Sequence, residues 1–166
     1  MLQELYYTYY ESPIGILKIA GTETVIAEVS FVDSTNQMQH GEPGVSDVLH
    51  QCTEELIEFF SGKRRAFSVP IHQEGNDFSQ QVWSTLTQIT YGKTISFLEL
   101  AKKVANEHAL KAAASSNGKN KINIIVPCHR VIGTNKNLSN YAGGAWRKKW
   151  LLQHEFRTAN GIQTLF

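Results

Sequence analysis

A chain of 166 residues, 42% of them hydrophobic, can bury a real core, and its length suits one domain or two small ones. That composition argues against disorder, no uninterrupted apolar stretch could span a bilayer, and Met1–Tyr10, with Glu4 and four tyrosines, lacks the basic-then-apolar pattern of a signal peptide. The formal net charge of +1 conceals an asymmetry: residues 1–73 hold 4 Lys/Arg against 10 Asp/Glu, a balance of −6, while residues 74–166 hold 12 against 5, a balance of +7. The basic half suits a polyanion, although a solvated basic face without a partner would give the same count. Two distant cysteines, with no CxxC pair and no Cys/His cluster at ligand spacing, argue against a disulfide scaffold and a zinc module and point to a reducing, intracellular compartment.

Tyr6–Tyr10, Gly15–Ile19 and Val25–Val32 are rich in β-branched and aromatic residues and are punctuated by Ser12-Pro13 and Gly21, which predicts a small antiparallel sheet. From Val45 the apolar positions 45, 48, 49, 52, 56, 59 and 60 form one stripe at helical spacing that ends at Gly62. Cys52 lies on that stripe, where it reads as a small buried apolar side chain. Arg65–Ile71 is a candidate for one more strand, and the polar run His72–Asp77 reads as the link to a second domain, at the place where the charge reverses. Asp77 is placed to cap a helix with the apolar face Phe78, Val82, Leu86 and Ile89, ended by Tyr91-Gly92. Ser96 and Glu99 have the spacing of a capping box that opens a second helix through about Val104. A turn at Asn106–His108 leads into a third helix, Ala109–Asn117, closed by Gly118, and these two short helices form a helix-turn-helix candidate. The third helix reads ALKAAASSN, too short in side chain to read base edges but able to bring its backbone close to a minor groove only about 6 Å wide. An Ala-rich helix packed in a core would have the same composition.

Ile122–Val131 reads INIIVPCHRV, an apolar strand broken by Pro127 that delivers Cys128, His129 and Arg130 where the chain changes direction. A cysteine reacts as its thiolate, and cationic or histidine neighbours can lower its pKa from about 8.5 toward neutrality. His129 can accept the proton and Arg130 add positive potential. Taken alone, a cysteine in an apolar strand is more often an inert core residue.

The run Pro127-Cys128-His129-Arg130-Val131-Ile132-Gly133, followed by Asn140-Tyr141-Ala142-Gly143-Gly144 and then Trp150-Leu151-Leu152-Gln153-His154-Glu155, closely resembles the O6-alkylguanine-DNA alkyltransferases, the methylated-DNA–protein-cysteine methyltransferases. The likeness covers most of residues 78–155, including Gly92-Lys93-Thr94-Ile95-Ser96 and Asn117-Gly118-Lys119-Asn120, while residues 1–73 match in general outline. The resemblance implies an α/β (α+β) chain, with a small ribonuclease H-like sheet-plus-helix domain over residues 1–73. A mostly helical, winged helix-turn-helix domain over residues 74–166 then binds DNA and carries the alkyltransferase site. The implied activity is repair by direct reversal: one methyl or larger alkyl group leaves O6-alkylguanine, with O4-alkylthymine a further candidate, and stays irreversibly on the protein. The target base lies stacked in the duplex, so the nucleotide has to be flipped out through the minor groove first.

By the same resemblance Cys128 is the nucleophile, His129 takes its proton through a water, and Glu155 orients the imidazole, the logic of a triad. Lys111, Phe97, Ala109, Ala112, Ser115 and Arg130 are expected at the DNA; Pro127, Val131, Tyr141, Ala142 and Gly143 around the base pocket; and Asn120 as the hinge that ties the helix-turn-helix to the active-site turn. A loop asparagine is often only a turn residue, and a glycine pair only a flexible loop. No cofactor is implied, and no metal, since the additional Cys and His of metal-binding members are missing near the N-terminus. The implied partner is double-stranded DNA containing O6-alkylguanine, with no membrane; the chain is expected as a monomer, with clustering on DNA open, in the cytoplasm or, in a eukaryote, the nucleus.

Two positions depart from the family pattern. Lys111 stands where an arginine is usual, which keeps the charge and loses the planar group that stacks on bases. Phe97 stands where a tyrosine is usual, which keeps the ring and loses a proton donor to the leaving guanine, a loss of roughly a few kcal/mol in barrier. Slow repair, or a preference for better leaving groups, is the expected consequence. A binding-only relative that recruits other repair factors is an alternative, but in that branch the nucleophile is replaced. A winged-helix regulator would explain the helix pair and the charge without the thiol, and a cysteine hydrolase would need an oxyanion hole and a cleft that the sequence does not display. The tail Arg157–Phe166 carries no signal and reads as peripheral.

Overall fold

Alternating apolar and aromatic runs separated by tight turns fold, in the first third of the chain, as an antiparallel meander. The computed structural model describes residues 5–33, 44–133 and 141–162, and the chain divides into two compact units, Met1–Gln73 and Glu74–Phe166. In the first, β1 (Tyr6–Ser12), β2 (Gly15–Gly21) and β3 (Ile26–Val32) lie in that order, with Tyr10 opposite Leu17 and Leu17 opposite Phe31. Leu17 and Ile19, two apart and therefore on one face, are fully buried with Ile26 and Val29. Helix α1 (Asp47–Phe60) packs on all three strands and buries Leu49, Cys52, Leu56, Phe59 and Phe60. It starts later than the apolar stripe: Ser46 Oγ accepts the Leu49 N–H at 3.3 Å, which leaves Val45 outside the helix and exposed.

Arg65–Ile71 is not a strand. Only Ile71 bridges to Ile26, in parallel, through Ile26 N–H to Pro70 O and His72 N–H to Ile26 O, both at 2.9 Å. The amides upstream are taken by a buried carboxylate instead. Glu55, 3% exposed, accepts from Ser68 N–H at 2.8 Å, Val69 N–H at 3.2 Å, Ser68 Oγ at 2.7 Å and Gln51 Nε2 at 2.8 Å. Amides held this way cannot join a ladder, and Pro70 has none to give.

In the second unit α2 (Asp77–Leu86) is capped by Asn76, not Asp77: Asn76 Oδ1 accepts from Ser79 N–H at 2.8 Å, and Asp77 sits in the first turn, where a carboxylate suits the helix dipole. Val82, Leu86 and Ile89 are buried as expected, but the large ring in the core is Trp83, whose Nε1–H donates to Ser116 O at 2.9 Å, while Phe78 is half-buried. The capping box forms, with Ser96 Oγ accepting Glu99 N–H at 3.0 Å and Glu99 Oε1 accepting Ser96 N–H at 3.4 Å, and it opens α3 (Phe97–Val104). A 3-10 turn, Glu107–Ala109, capped by Asn106, then enters α4 (Leu110–Gly118). Ala109 therefore belongs to the turn, and Gly118 is the last helical residue instead of a left-handed stop. β4 (Ile95–Ser96) pairs in parallel with β5 (Val131–Ile132).

Helix α5 (Ala145–Ala159) follows Gly144. Arg157–Ala159 is thus helix, not a peripheral tail, and Ala159 closes on the turn before β4: at Gly92, with φ +82°, an added Cβ would lie 2.7 Å from Ala159 Cβ. The chain is a mixed α/β protein, a small sheet domain followed by a helical one. Among the described residues no helix is long and apolar enough to cross a membrane.

Replacing Glu55 by Ala strands the Ser68 and Val69 amides in the interior. The expected loss is about 2–4 kcal/mol of stability for the two groups, read from the urea midpoint at unchanged m-value; an unmoved midpoint would show that the two amides find other partners.

Candidate active site

The five residues before Pro127 form a buried turn where a strand was expected. Asn120, itself 4% exposed, is its frame: Nδ2 donates to Val126 O at 2.8 Å and Ile122 O at 3.3 Å, and Oδ1 accepts from Ile122 N–H at 3.1 Å. The turn closes on itself through Val126 N–H to Ile122 O at 3.0 Å and Ile125 N–H to Asn123 O at 2.8 Å. It forces Ile124 to φ +74°, a conformation that costs a β-branched residue about 1–3 kcal/mol. Pro127 leads into a 3-10 helix, Cys128–Arg130, so the thiol is carried by a helical turn.

Successive side chains on a three-residue turn diverge by about 120°, which sends Cys128, His129 and Arg130 to different partners. Cys128 Sγ lies 3.7 Å from Asn123 Oδ1. His129 Nε2 lies 2.7 Å from Glu155 Oε2 on α5, and both side chains are sealed from solvent. Arg130, expected at the DNA, is instead 6% exposed and directed inward. Its Nε donates to Glu155 Oε1 at 2.8 Å, one terminal nitrogen to Glu155 Oε2 at 3.0 Å and the other to Ile89 O at 2.8 Å, with the guanidinium 5.5 Å from the Tyr91 ring centre. The Gly92 N–H adds a further contact to Glu155 Oε1 at 3.4 Å. Burial pushes the Glu155 carboxyl up, but His129 and Arg130 beside it prevail and hold it down at about 2. An ionised Glu155 accepts a hydrogen bond from the imidazole Nε2–H, which leaves Nδ1 as the nitrogen with the free lone pair; that atom is buried and has no hydrogen-bond partner among the described residues.

The thiol is not held near neutrality. Cys128 is 5% exposed, and burial pushes its pKa up further than the Asn120 side chain, the Lys148 ammonium and a backbone hydrogen bond bring it down. The helpful charge is therefore Lys148, which the sequence reading missed, and not Arg130. Lys148 is fully buried on α5, with Nζ donating to Val131 O at 2.6 Å and lying 5.8 Å from the centre of the Phe97 ring. Burial pushes its own pKa down, against the pull of Cys128. One signal could have found it: Lys148, Leu151 and Glu155 recur at i, i+3 and i+7, a single helical face, and all three are fully buried. In the sheet domain burial pushes the other thiol, Cys52, up to about 12, with Glu55 adding to the rise, which leaves it inert.

Of the expected pocket residues, Pro127, Val131, Tyr141 and Gly143 are buried and Ala142 is exposed; Asn140, the first residue of that motif, lies outside the described residues. Tyr141 stands edge-on to His129, ring centres 6.5 Å apart; burial, and then the charge of Cys128, raise its phenol well above the ordinary value. Arg147 holds the loop from behind, one terminal nitrogen donating to Gly143 O at 3.2 Å. Lys111, Ala112 and Ser115 lie exposed together on one face of α4, with Ala109 partly exposed just before them. Phe97 and Lys111 line one cleft of about 430 Å³ with Leu98, Leu110, Ala114 and Gly133. Among the described residues no three His, Cys, Asp or Glu side chains converge as a metal site.

The site thus combines a shielded thiol, a carboxylate-held imidazole on the next residue and an exposed face of small residues on the second of two tandem helices, the parts a DNA-directed cysteine chemistry would need. Comparison with known proteins is specific. Residues 5–73 match the family described as 6-O-methylguanine DNA methyltransferase, ribonuclease-like domain, and residues 77–157 match 6-O-methylguanine DNA methyltransferase, DNA binding domain. A methylated-DNA–protein-cysteine methyltransferase of Methanosarcina acetivorans is 37% identical over 153 residues, 91% of this chain and 98% of the relative. The crystal structure of the Mycobacterium tuberculosis O6-methylguanine methyltransferase superposes with a TM-score of 0.84 at 35% identity, covering 93% of this chain and 94% of that one. The Mycobacterium tuberculosis OGT in complex with DNA superposes at 0.82 with 37% identity, over 92% and 93%. The chain belongs to the 6-O-methylguanine DNA methyltransferase family.

Glu155 has a depressed pKa, so its contribution to stability is complete above the ordinary carboxyl value of 4.5 and is lost as the pH falls toward about 2. Glu155→Gln leaves Arg130 buried without its counter-charge. The expected cost is about 3–5 kcal/mol at neutral pH, with a urea midpoint that varies less between pH 4.5 and 2 than that of the unmodified chain. Equal acid sensitivity in the two proteins would remove Glu155 as the source.

Proposed function

We propose that this chain repairs DNA by moving the alkyl group of an O6-alkylguanine onto Cys128, once per molecule, with no cofactor or metal. The observation that carries the assignment is the basic Nδ1 of a Glu155-held imidazole, buried without a partner on the residue next to the thiol. The thiol proton passes through a water to Nδ1, and Glu155 stabilises the imidazolium. The thiolate attacks the alkyl carbon, the C–O6 bond breaks with its electron pair going to guanine, and the guanine anion takes up a proton. The thioether has no hydrolytic way back.

The partner is double-stranded DNA, met by a monomer in the cytoplasm, with the small-residue face of α4 in the minor groove and Lys111 beside the vacated stack. The DNA complex of the Mycobacterium tuberculosis relative supports this choice of partner. Pro127, Val131, Tyr141 and Gly143 frame the flipped base, and Asn120 couples α4 to the thiol turn. Lys148 favours the thiolate that His129 generates.

Incubation with a duplex carrying one O6-methylguanine is expected to add one methyl group to the intact mass, and Cys128→Ser to abolish the gain; binding without a mass change would mark a recruiter and sink the proposal. His129→Ala is expected to slow transfer by about 10²–10⁴-fold. Phe97→Tyr, which supplies a phenol to the cleft, is expected to speed transfer by at least about tenfold, since a missing donor is worth roughly a few kcal/mol of barrier; single-turnover rates on the same duplex measure both.

A further inference from the structure

The run Asn117-Gly118-Lys119-Asn120 closes the helix pair, and the transfer just described uses only its last residue. Asn117 is 2% exposed, yet its Oδ1 is buried without a hydrogen-bond partner among the described residues. A buried acceptor in that state is costly, and a fold that keeps one leaves a place for a donor from outside the chain. Its position on α4 says which donor. Leu110, Ala114 and Asn117 stand at i, i+4 and i+7, a single stripe along the helix. Leu110 and Ala114 line the cleft shared with Phe97 and Lys111, and exposure falls along the stripe from 41% at Leu110 to 2% at Asn117. The stripe therefore runs from the mouth of the cleft inward, toward Asn120, whose N–H meets Asn117 O at 3.4 Å and whose side chain favours the Cys128 thiolate. On the facing wall the Phe97 ring centre lies 5.8 Å from Lys148 Nζ, the ammonium that acts on the same thiol. Both walls of the cleft lead to the sulfur.

An unpaired acceptor selects for a donor, and the base that the thiol attacks carries donors at one place only. Alkylation of O6 leaves guanine N1 without a hydrogen, so the ring nitrogens and O6 accept and the 2-amino group alone donates. We infer that Asn117 Oδ1 is the acceptor for the 2-amino group of the flipped base, and that it makes the site favour O6-alkylguanine over alkylated bases that bring no donor. This rests on the reading of the chain as an O6-alkylguanine alkyltransferase. O4-alkylthymine falls in the disfavoured class, because alkylation at O4 removes the N3 hydrogen and leaves its ring with acceptors alone. Such a base leaves Oδ1 as it stands in the free protein, buried and unpaired, whereas O6-alkylguanine completes it. Flipped bases are told apart by hydrogen bonds to this edge, and a site built around such a bond rejects an analogue lacking the group more strongly than an apolar pocket rejects a change of size. No covalent bond to Asn117 forms or breaks, and the proton leaves Sγ for His129 Nδ1 as described above.

The test compares single-turnover methyl transfer, read by intact mass, from two duplexes that differ in one group: O6-methylguanine, and O6-methylhypoxanthine, which lacks the 2-amino group. The unmodified chain is expected to react with the first at least about tenfold faster, the size of one buried hydrogen bond. Asn117→Leu keeps the shape of the carboxamide and removes the acceptor. It is expected to slow transfer from O6-methylguanine by that factor and to leave O6-methylhypoxanthine unchanged, so that the two rates converge. A merely structural role would slow both duplexes alike and preserve their ratio, which overturns the inference, as does an unmodified chain that does not distinguish the two bases. Should Asn117→Leu not fold, Asn117→Ala carries the same comparison. Methyl transfer with an unchanged ratio in the variant counts against the role of Asn117 alone; no transfer from O6-methylguanine by the unmodified chain sinks the proposed function, and this inference with it.

Discussion

Glu155 is a carboxylate sealed in the protein interior, and a charge in that position is tolerated only when every lone pair is engaged. Three stretches of chain meet that requirement together: α5 supplies the carboxylate, the 3-10 turn supplies His129 and Arg130, and the turn before β4 supplies the Gly92 amide. None of them can shift without leaving an ion or a donor unpaired, so the imidazole is fixed in orientation and tautomer by the same interaction that docks the C-terminal helix. The close approach of Ala159 to Gly92 belongs to the same constraint, because the turn has to lie against α5 for its amide to reach the carboxylate.

With the imidazole fixed, the thiol can be left neutral. Burial raises Cys128, and Lys148 and Asn120 offset only part of that rise. A standing thiolate would react with any electrophile able to reach it, whereas in the proposed transfer a thiol ionised through His129 becomes a nucleophile only when a substrate is in place and a proton path is complete. Arg130 takes no part in lowering the thiol; its charge is consumed in holding Glu155. The two cations nearest the site therefore have separate tasks, Arg130 on the carboxylate and Lys148 on the sulfur.

The sheet domain repeats the device on a smaller scale. Glu55 gathers two backbone amides, a hydroxyl and an amide side chain, and so fixes a segment of irregular chain that no strand pairing holds. In both domains a carboxylate on a helix, buried and saturated with donors, organises a stretch of backbone without regular structure. Each does so by satisfying polar groups that would otherwise be stranded from water.

Local patterns were legible wherever a single element carried its own signal. The three strands, the α1 stripe, the Ser96–Glu99 capping box and the helix pair all follow from short-range periodicity and capping chemistry, and Cys128, His129 and Glu155 are singled out as candidates by a resemblance carried in short runs of residues. Where the outcome depended on a partner distant in sequence, the reading failed for that reason. Arg65–Ile71 has strand composition but loses its amides to Glu55, INIIV has strand composition but is bent by Asn120, and Arg130 and Lys148 are surface residues by type yet are buried, Arg130 against the Glu155 carboxylate that α5 brings to it and Lys148 against the Val131 carbonyl of β5. The amino-acid sequence by itself determined the elements that carry their own local signal and a candidate nucleophile; only the tertiary structure decided which charges face one another, because desolvation and ion pairing act across space between segments that the order of residues does not bring together.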